Sequence, residues 1–232
     1  MHLEQVLRRS TPVVINSFNQ LTYLKNILSK LIDSGFRNIY VLDQASSYPP
    51  LLSYLSDLTK SGNALLWALA ENKGPRFFFE SLSFEIFGRA PFIYSDPDIS
   101  WDRLAPNFLT RLFELGHKYR IFKVGPALAL PAASEIKEGL RIKRKGNKTV
   151  LEWETQFWQK QVEPDVYAAP LDTTFHLFIP QYYARGASIL TGMRVAGEGF
   201  PVIHVPWYKT DPMPDEEYKH YLSTEKYSSW TE

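Results

Sequence analysis

The chain contains no cysteine in its 232 residues. That excludes disulfides, thiolate metal sites and cysteine nucleophiles, and it fits a reducing compartment. It has almost no net charge: 26 Lys and Arg stand against 25 Asp and Glu. Proteins that track a phosphate backbone carry a strong basic excess, so no nucleic-acid partner is expected. No apolar run reaches the about 20 residues that cross a bilayer, so no transmembrane segment is expected. The opening residues, Met1-His2-Leu3-Glu4-Gln5, are polar and acidic rather than signal-like. The expectation is a cytoplasmic protein. Its length suits one α/β domain, and 44% apolar residues supply a core easily.

What the sequence does have is alternation. Pro12 to Phe18 is a short β-branched run, as in a buried strand. Leu24, Ile27, Leu28, Leu31 and Ile32 then recur at helical spacing, with Thr22 as a cap and Gly35 as the stop. Asn38 to Leu42 reads as a second strand ending at Asp43. Leu51 to Lys60 reads as a helix, Ala64 to Ala70 as a third strand, and Phe77 to Phe87 as a short apolar helix before Gly88. Pro91 to Tyr94 is a fourth strand. Short connections of this kind predict right-handed crossovers and a mostly parallel sheet with helices on both faces. Strands are expected near residues 13–17, 39–42, 65–70 and 91–94. Ligands of such sheets sit outside the carboxyl ends of the strands.

The second half is less regular. Trp101 to Leu115 reads as a helix, Lys123 to Leu130 as a strand interrupted by Gly-Pro, and Leu151 to Gln161 as a Trp-rich helix. Thr173 to Ile179 and Pro201 to Pro206 read as strands, and the tail from Lys209 as a surface segment with one short helix. Residues 137–148 form a basic run, read as a solvated loop or as a flap near an anionic ligand.

The sharpest local signal is Asp96-Pro97-Asp98, directly after the fourth strand. Two carboxylates two positions apart face the same side of an extended chain. Their hard oxygens suit Mg²⁺ or Mn²⁺, which keep open positions for phosphate. The plain alternative is an Asp-Pro turn with a helix cap.

With this pair in place the chain resembles the nucleotide-sugar glycosyltransferases of the GT-A fold, most closely the family two enzymes. Phe18-Asn19 matches the pair that ends their first strand. Asp43, followed by Ala45, Ser46 and Ser47, matches the end of their second. Asn72-Lys73-Gly74 matches a loop before a helix, and Asp96 and Asp98 match their DxD motif. The resemblance covers residues 11–100 well and the rest loosely. It departs from many members in placing Pro97 inside the motif. It implies one GT-A domain over residues 1–232, with a nucleotide-sugar half at 11–100 and an acceptor half with the tail at 101–232. It implies that Asp43 accepts a hydrogen bond from the donor base, most often uracil, and that Phe18 lines the base pocket. It implies donor contacts by Asn19, Asn72 and Arg76, with Asp96 near the ribose or the metal and Asp98 on the metal. His204 resembles the C-terminal histidine that serves as a further metal ligand in some GT-A enzymes.

Sugar transfer from a nucleotide diphosphate to a glycan or other hydroxyl acceptor also needs a base for the acceptor proton. Asp172, at a strand boundary, is the first candidate; Glu154 and Glu152 are the alternatives. An inverting transfer follows from such a base, with retention left open. Arg194 and Lys209 are further diphosphate candidates. Trp153, Trp158, Trp207 and Tyr208 are candidate acceptor platforms, since sugar rings present apolar faces to aromatic ones. Two other classes stay in view. A nucleotidyltransferase needs a Gly-rich basic loop after the first strand, where this chain has Asn16-Ser17-Phe18-Asn19-Gln20. A non-catalytic glycan- or protein-binding domain of the same fold would tolerate loss of both aspartates. No GxGxxG follows the first strand, which argues against a dehydrogenase.

Overall fold

The computed structural model describes residues 2–142, 146–224 and 226–228. Its first half runs α1 (His2–Ser10), β1 (Val13–Ser17), α2 (Leu21–Asp33), β2 (Ile39–Asp43), α3 (Pro49–Ser61), β3 (Leu65–Ala68), α4 (Phe77–Glu80) and β4 (Phe92–Ser95). Its second half runs β5 (Ile99–Ser100), α5 (Phe108–Tyr119), β6 (Lys123–Pro126), α6 (Val150–Thr155), β7 (Gln161–Glu163), β8 (Val166–Ala168), β9 (His176–Phe178), β10 (Met193–Val195), β11 (Ile203–His204) and α7 (Asp215–Thr224).

Nine strands form one mixed sheet in the order β3-β2-β1-β4-β9-β6-β10-β8-β7, and β5 pairs with β11 in a small second sheet. β1 lies parallel between β2 and β4, and β3 runs parallel outside β2. The four strands expected from the sequence are therefore parallel neighbours. β9 enters antiparallel between β4 and β6, and β10 runs parallel to β6. β1 is buried at every residue: Val13, Val14 and Ile15 are apolar on both faces, and the polar Asn16 and Ser17 stand at its carboxyl end. Val13 and Ile15 face a core shared with Leu24, Ile27 and Leu31 of α2, Leu51 and Leu55 of α3, and Leu109 and Leu112 of α5. Val14 faces the other way, into an aromatic core of Phe78, Phe79, Phe84, Phe92 and Phe178. Each of these side chains contributes roughly 1.5–3 kcal/mol through burial.

Several sequence readings change. α1 was not anticipated, although its Glu4 builds the next layer. Buried, the Glu4 carboxylate accepts from the backbone amides of Leu109 at 3.0 Å and Thr110 at 2.7 Å, at the start of α5. An anion there satisfies amides that the helix itself leaves open. The helix expected from Trp101 accordingly begins only at Phe108. The apolar helix expected over 77–87 is split at Leu82, whose φ of 59° ends α4 before a 3-10 turn at Ser83–Phe87. The helix expected over 151–161 stops at Thr155 and tightens into a 3-10 turn at Gln156–Trp158. Thr22 does not cap α2: it sits inside the first turn and bonds to Glu217 of α7. The Gly-Pro in β6 completes the strand instead of interrupting it, because a side chain at Gly125 would meet the Phe175 carbonyl at 2.4 Å. In the basic run, residues 143–145 lie outside the described residues, and Lys137 is paired with Asp211 at 2.5 Å. Among the described residues no helix is long and apolar enough to cross a membrane.

Candidate active site

A pocket of about 440 Å³ opens at the carboxyl ends of β1, β2 and β4. β1 delivers Asn16, Phe18 comes just after it, Gln44 follows β2, and the loop before α4 delivers Asn72, Gly74 and Arg76. The segment after β4 supplies Asp96 and Asp98, the loop before β9 supplies Asp172 and Thr173, and β11 supplies His204. Tyr221 of α7 and Tyr227 beyond it close the remaining side.

Burial and charge set the character of the acidic wall. Burial and then the charge of Asp98 hold Asp96 well above the usual carboxylate range, while the Thr173 hydroxyl, 2.5 Å from its Oδ2, pulls the other way. His204 Nε2 lies 3.4 Å from Asp98 Oδ2, with both side chains buried. Burial pushes the imidazole down to about 3, so it is neutral at neutral pH. Across the pocket Arg76 grips Asp172 with two hydrogen bonds, Nε to Oδ1 at 2.8 Å and a shorter one from the guanidinium to Oδ2. That pair is half-exposed to the pocket.

Sequence reasoning missed Lys123, at the start of β6. It is 1% exposed, and burial pulls its amine down to about 7. A lysine on a short strand reads as a surface charge, and no sequence signal marks it otherwise.

The structure does not bring every candidate into the pocket. Asp43 is buried beside it, and both its oxygens are taken by Ser46, from the backbone amide at 3.0 Å and the hydroxyl at 2.6 Å. Its neighbour Gln44 faces the pocket, donating to Asn16 Oδ1 at 2.8 Å. Asn19 folds back in the left-handed region at φ 50°, and its side-chain Oδ1 accepts from the amides of Ser47 and Tyr48 at the head of α3. It shapes the pocket rim without lining it. Glu154 and Arg194 face one another, 2.7 Å apart and buried, with the guanidinium 4.2 Å from the centre of the Phe157 ring. Neither lines the pocket. Glu152 closes a capping box with Thr149 at the start of α6. Lys209 reaches toward Glu138, at 3.9 Å. Trp207 is buried against the His204 ring, 4.5 Å between centres. Tyr208 packs on the core, Trp153 packs on Phe157 and Trp158 packs on Tyr167. These rings are occupied as packing, and none of the four lines the pocket.

The donor set of Asp96, Asp98 and His204 fits a hard divalent ion in chemical type, two carboxylates and a neutral imidazole. Asp98's charge already burdens Asp96, which a bound cation would relieve. Among the described residues, no three or more His, Asp or Glu side chains are gathered into a complete metal site. Any ion held here therefore takes much of its shell from its ligand or from water.

A parallel β3-β2-β1-β4 core, an antiparallel strand beside β4, and an acidic pair where β4 ends define an α/β fold of the GT-A, Rossmann-like class. One solved structure shares it, and two others are similar in part. GalNAc-T7, solved with UDP, GalNAc and Mn²⁺, superposes with a TM-score of 0.55 over 92% of this chain at 14% identity. A mannosyltransferase from Pyrobaculum calidifontis, solved with GDP-Man and Mn²⁺, is 15% identical over 54% of this chain with a TM-score of 0.41. A UDP-glucose pyrophosphorylase complexed with UDP-glucose is 11% identical over 74% of this chain and 76% of its own, also at 0.41. The chain spans 48% of the GalNAc-T7 chain and 37% of the mannosyltransferase chain. At these identities the likeness is one of fold. No family model matches the sequence, and no curated protein matches it.

Proposed function

We propose that this chain is a glycosyltransferase domain that moves a sugar from a uridine diphosphate sugar to a hydroxyl of a glycan or other acceptor, with inversion. One observation carries the reading: Arg76, Asp96, Asp98, Asp172 and His204, scattered over 129 residues (76 to 204), line one pocket at the carboxyl ends of a GT-A sheet. Residues 11–100 supply the donor half of a single domain, and 101–232 bring the base and the closing wall.

The base of the donor sits among Phe18, Asn16 and Gln44, which take the place first given to Asp43. Asn72 lies on the same side, on the Gly74 loop. A divalent ion, Mn²⁺ or Mg²⁺, would be held by Asp98 and His204 with Asp96, and when bound it offsets the charge of the diphosphate. Arg76 supplies a further cation to that group. Arg76 is bonded to Asp172, and an arriving diphosphate competes for it. Asp172 is then released to accept the acceptor's hydroxyl proton. The acceptor oxygen forms its bond to the anomeric carbon from the side opposite the diphosphate. The bond to the diphosphate breaks with its electron pair, and the nucleoside diphosphate leaves.

The test is a screen of nucleotide sugars for Mn²⁺-dependent hydrolysis and transfer, repeated with Asp172→Asn. Turnover should fall roughly 10²–10⁴-fold in the variant while UDP affinity holds. Wild-type turnover in the Asn variant removes Asp172 as the base. No turnover of any donor by the wild type removes the whole reading.

A further inference from the structure

Lys123 is an amine buried beside the acids of the pocket: Asp172 and Asp96 favour its charged form, and burial outweighs them. Burying an amine costs free energy unless hydrogen bonds compensate it. Here it donates to two backbone carbonyls, Leu171 O at 3.2 Å and Asp172 O at 3.1 Å, and lies 4.8 Å from the centre of the Phe79 ring. Both carbonyls belong to the loop that leads into β9. The loop is anchored on either side of Asp172. The Leu171 amide donates to Leu190 O at 2.8 Å. Thr173 holds Asp96 twice, through its hydroxyl at 2.5 Å and its carbonyl, which accepts from the Asp96 amide at 3.0 Å. The Asp172 peptide bridges these anchors, and Lys123 grips its carbonyl from beneath.

We propose that Lys123 is a positioning residue for sugar transfer: by holding the carbonyls of Leu171 and Asp172 from inside the protein, it fixes where the Asp172 carboxylate stands in the pocket. This rests on the reading of the pocket as a transferase site. The grip needs hydrogen-bond donors and not charge. A neutral amine keeps two N–H groups, one for each carbonyl, so the hold survives titration of the lysine. A methionine of similar length would fill the space and release both carbonyls. Misplacing a catalytic group by about 1 Å costs on the order of 10²-fold in rate.

The experiment compares Lys123→Met and Lys123→Gln with the wild type in the full chain. Steady-state hydrolysis of a UDP-sugar with Mn²⁺ gives kcat and KM, calorimetry gives UDP affinity, and hydrogen exchange follows the amides of residues 171–174. In the Met variant kcat should drop roughly 10–10²-fold, with KM and UDP affinity within about twofold. Exchange in the loop should quicken. The Gln variant keeps a donor for one carbonyl and should recover part of both properties. Wild-type kcat and wild-type loop exchange in the Met variant overturn the proposal. So does activity that falls only in step with the folded fraction, since that is what a purely structural lysine predicts. If the Met variant does not fold, the Gln variant decides on the same readouts. If the wild type turns over no nucleotide sugar, the transferase reading fails, and loop exchange alone decides whether Lys123 positions Asp172.

Discussion

Glu154 separates a structural carboxylate from a catalytic one, and the perturbation is Glu154→Ala. Its partner Arg194 would then stand in a site that leaves the pair's side chains 3% and 7% exposed. The Arg194 guanidinium would keep the Pro170 carbonyl at 2.8 Å and the Phe157 ring, but no counter-charge. Removing one member of a buried ion pair costs about 3–5 kcal/mol, because the remaining charge is uncompensated. In a chain of this length each kcal/mol moves Tm by roughly 2–4 °C, so the expected fall is about 6–20 °C. Replacing both residues by Met removes the stranded charge and should restore most of the loss. Urea unfolding followed by tryptophan fluorescence gives the stability, and turnover per folded molecule gives the function. The Ala variant should be unstable yet, where folded, as active as the wild type. A variant of wild-type stability with sharply lower turnover would refute this account and return Glu154 to the list of candidate bases.

The remaining expectations concern the metal, the acid limit and the sheet. Chelator should abolish donor turnover and Mn²⁺ restore it, and Asp98→Ala should remove the Mn²⁺ dependence of UDP affinity in calorimetry; full turnover by metal-free protein would defeat the metal ligation. Glu163 is held down to about 2 by hydrogen bonds from Lys118 and Tyr119. Its folded-state value lies below the ordinary 4.5, so the stability it contributes is present above 4.5 and is lost as pH falls toward 2. Unfolding measured across that window should show the slope in the wild type and a flatter one in Glu163→Gln. Gly125→Ala should destabilise the fold by roughly 1–3 kcal/mol, because the new methyl meets the Phe175 backbone; unchanged denaturant midpoints would show that β6 and β9 can part without cost.

The parallel core was legible because its strands are short, largely apolar runs between turn residues, and in β1 the polar Asn16 and Ser17 come only after three apolar residues buried on both faces. Asp96 and Asp98 could be singled out because they follow a strand end, where such a sheet opens its pocket, and His204 only through its resemblance to a C-terminal histidine of GT-A enzymes. What escaped was set by tertiary partners. Asp43 ends a strand as a base-binding acid would, yet Ser46, three residues on, takes both its oxygens. Glu154 and Arg194 look like separate functional charges until 40 residues of chain bring them together. Lys123 gives no sign of burial, since the carbonyls that receive it lie on a loop 48 and 49 residues away. α1 went unseen because few of its residues are apolar, and its anchoring side chain is the acid Glu4.

The wall made by α7 ties the pocket to the order in which the parts of the molecule come together. Asn19 bonds to the Thr224 hydroxyl across 205 residues, Thr22 to Glu217 across 195, and Ser47 to His220 across 173. Contacts so distant in sequence close the largest loops and tend to form late. The sheet can assemble from neighbours, β1 with β2 and β2 with β3, while the pocket end still gapes. During refolding, tryptophan burial should therefore recover before affinity for UDP does. A ribosome that has already released β1 to β4 has made a sheet and not yet a closed pocket.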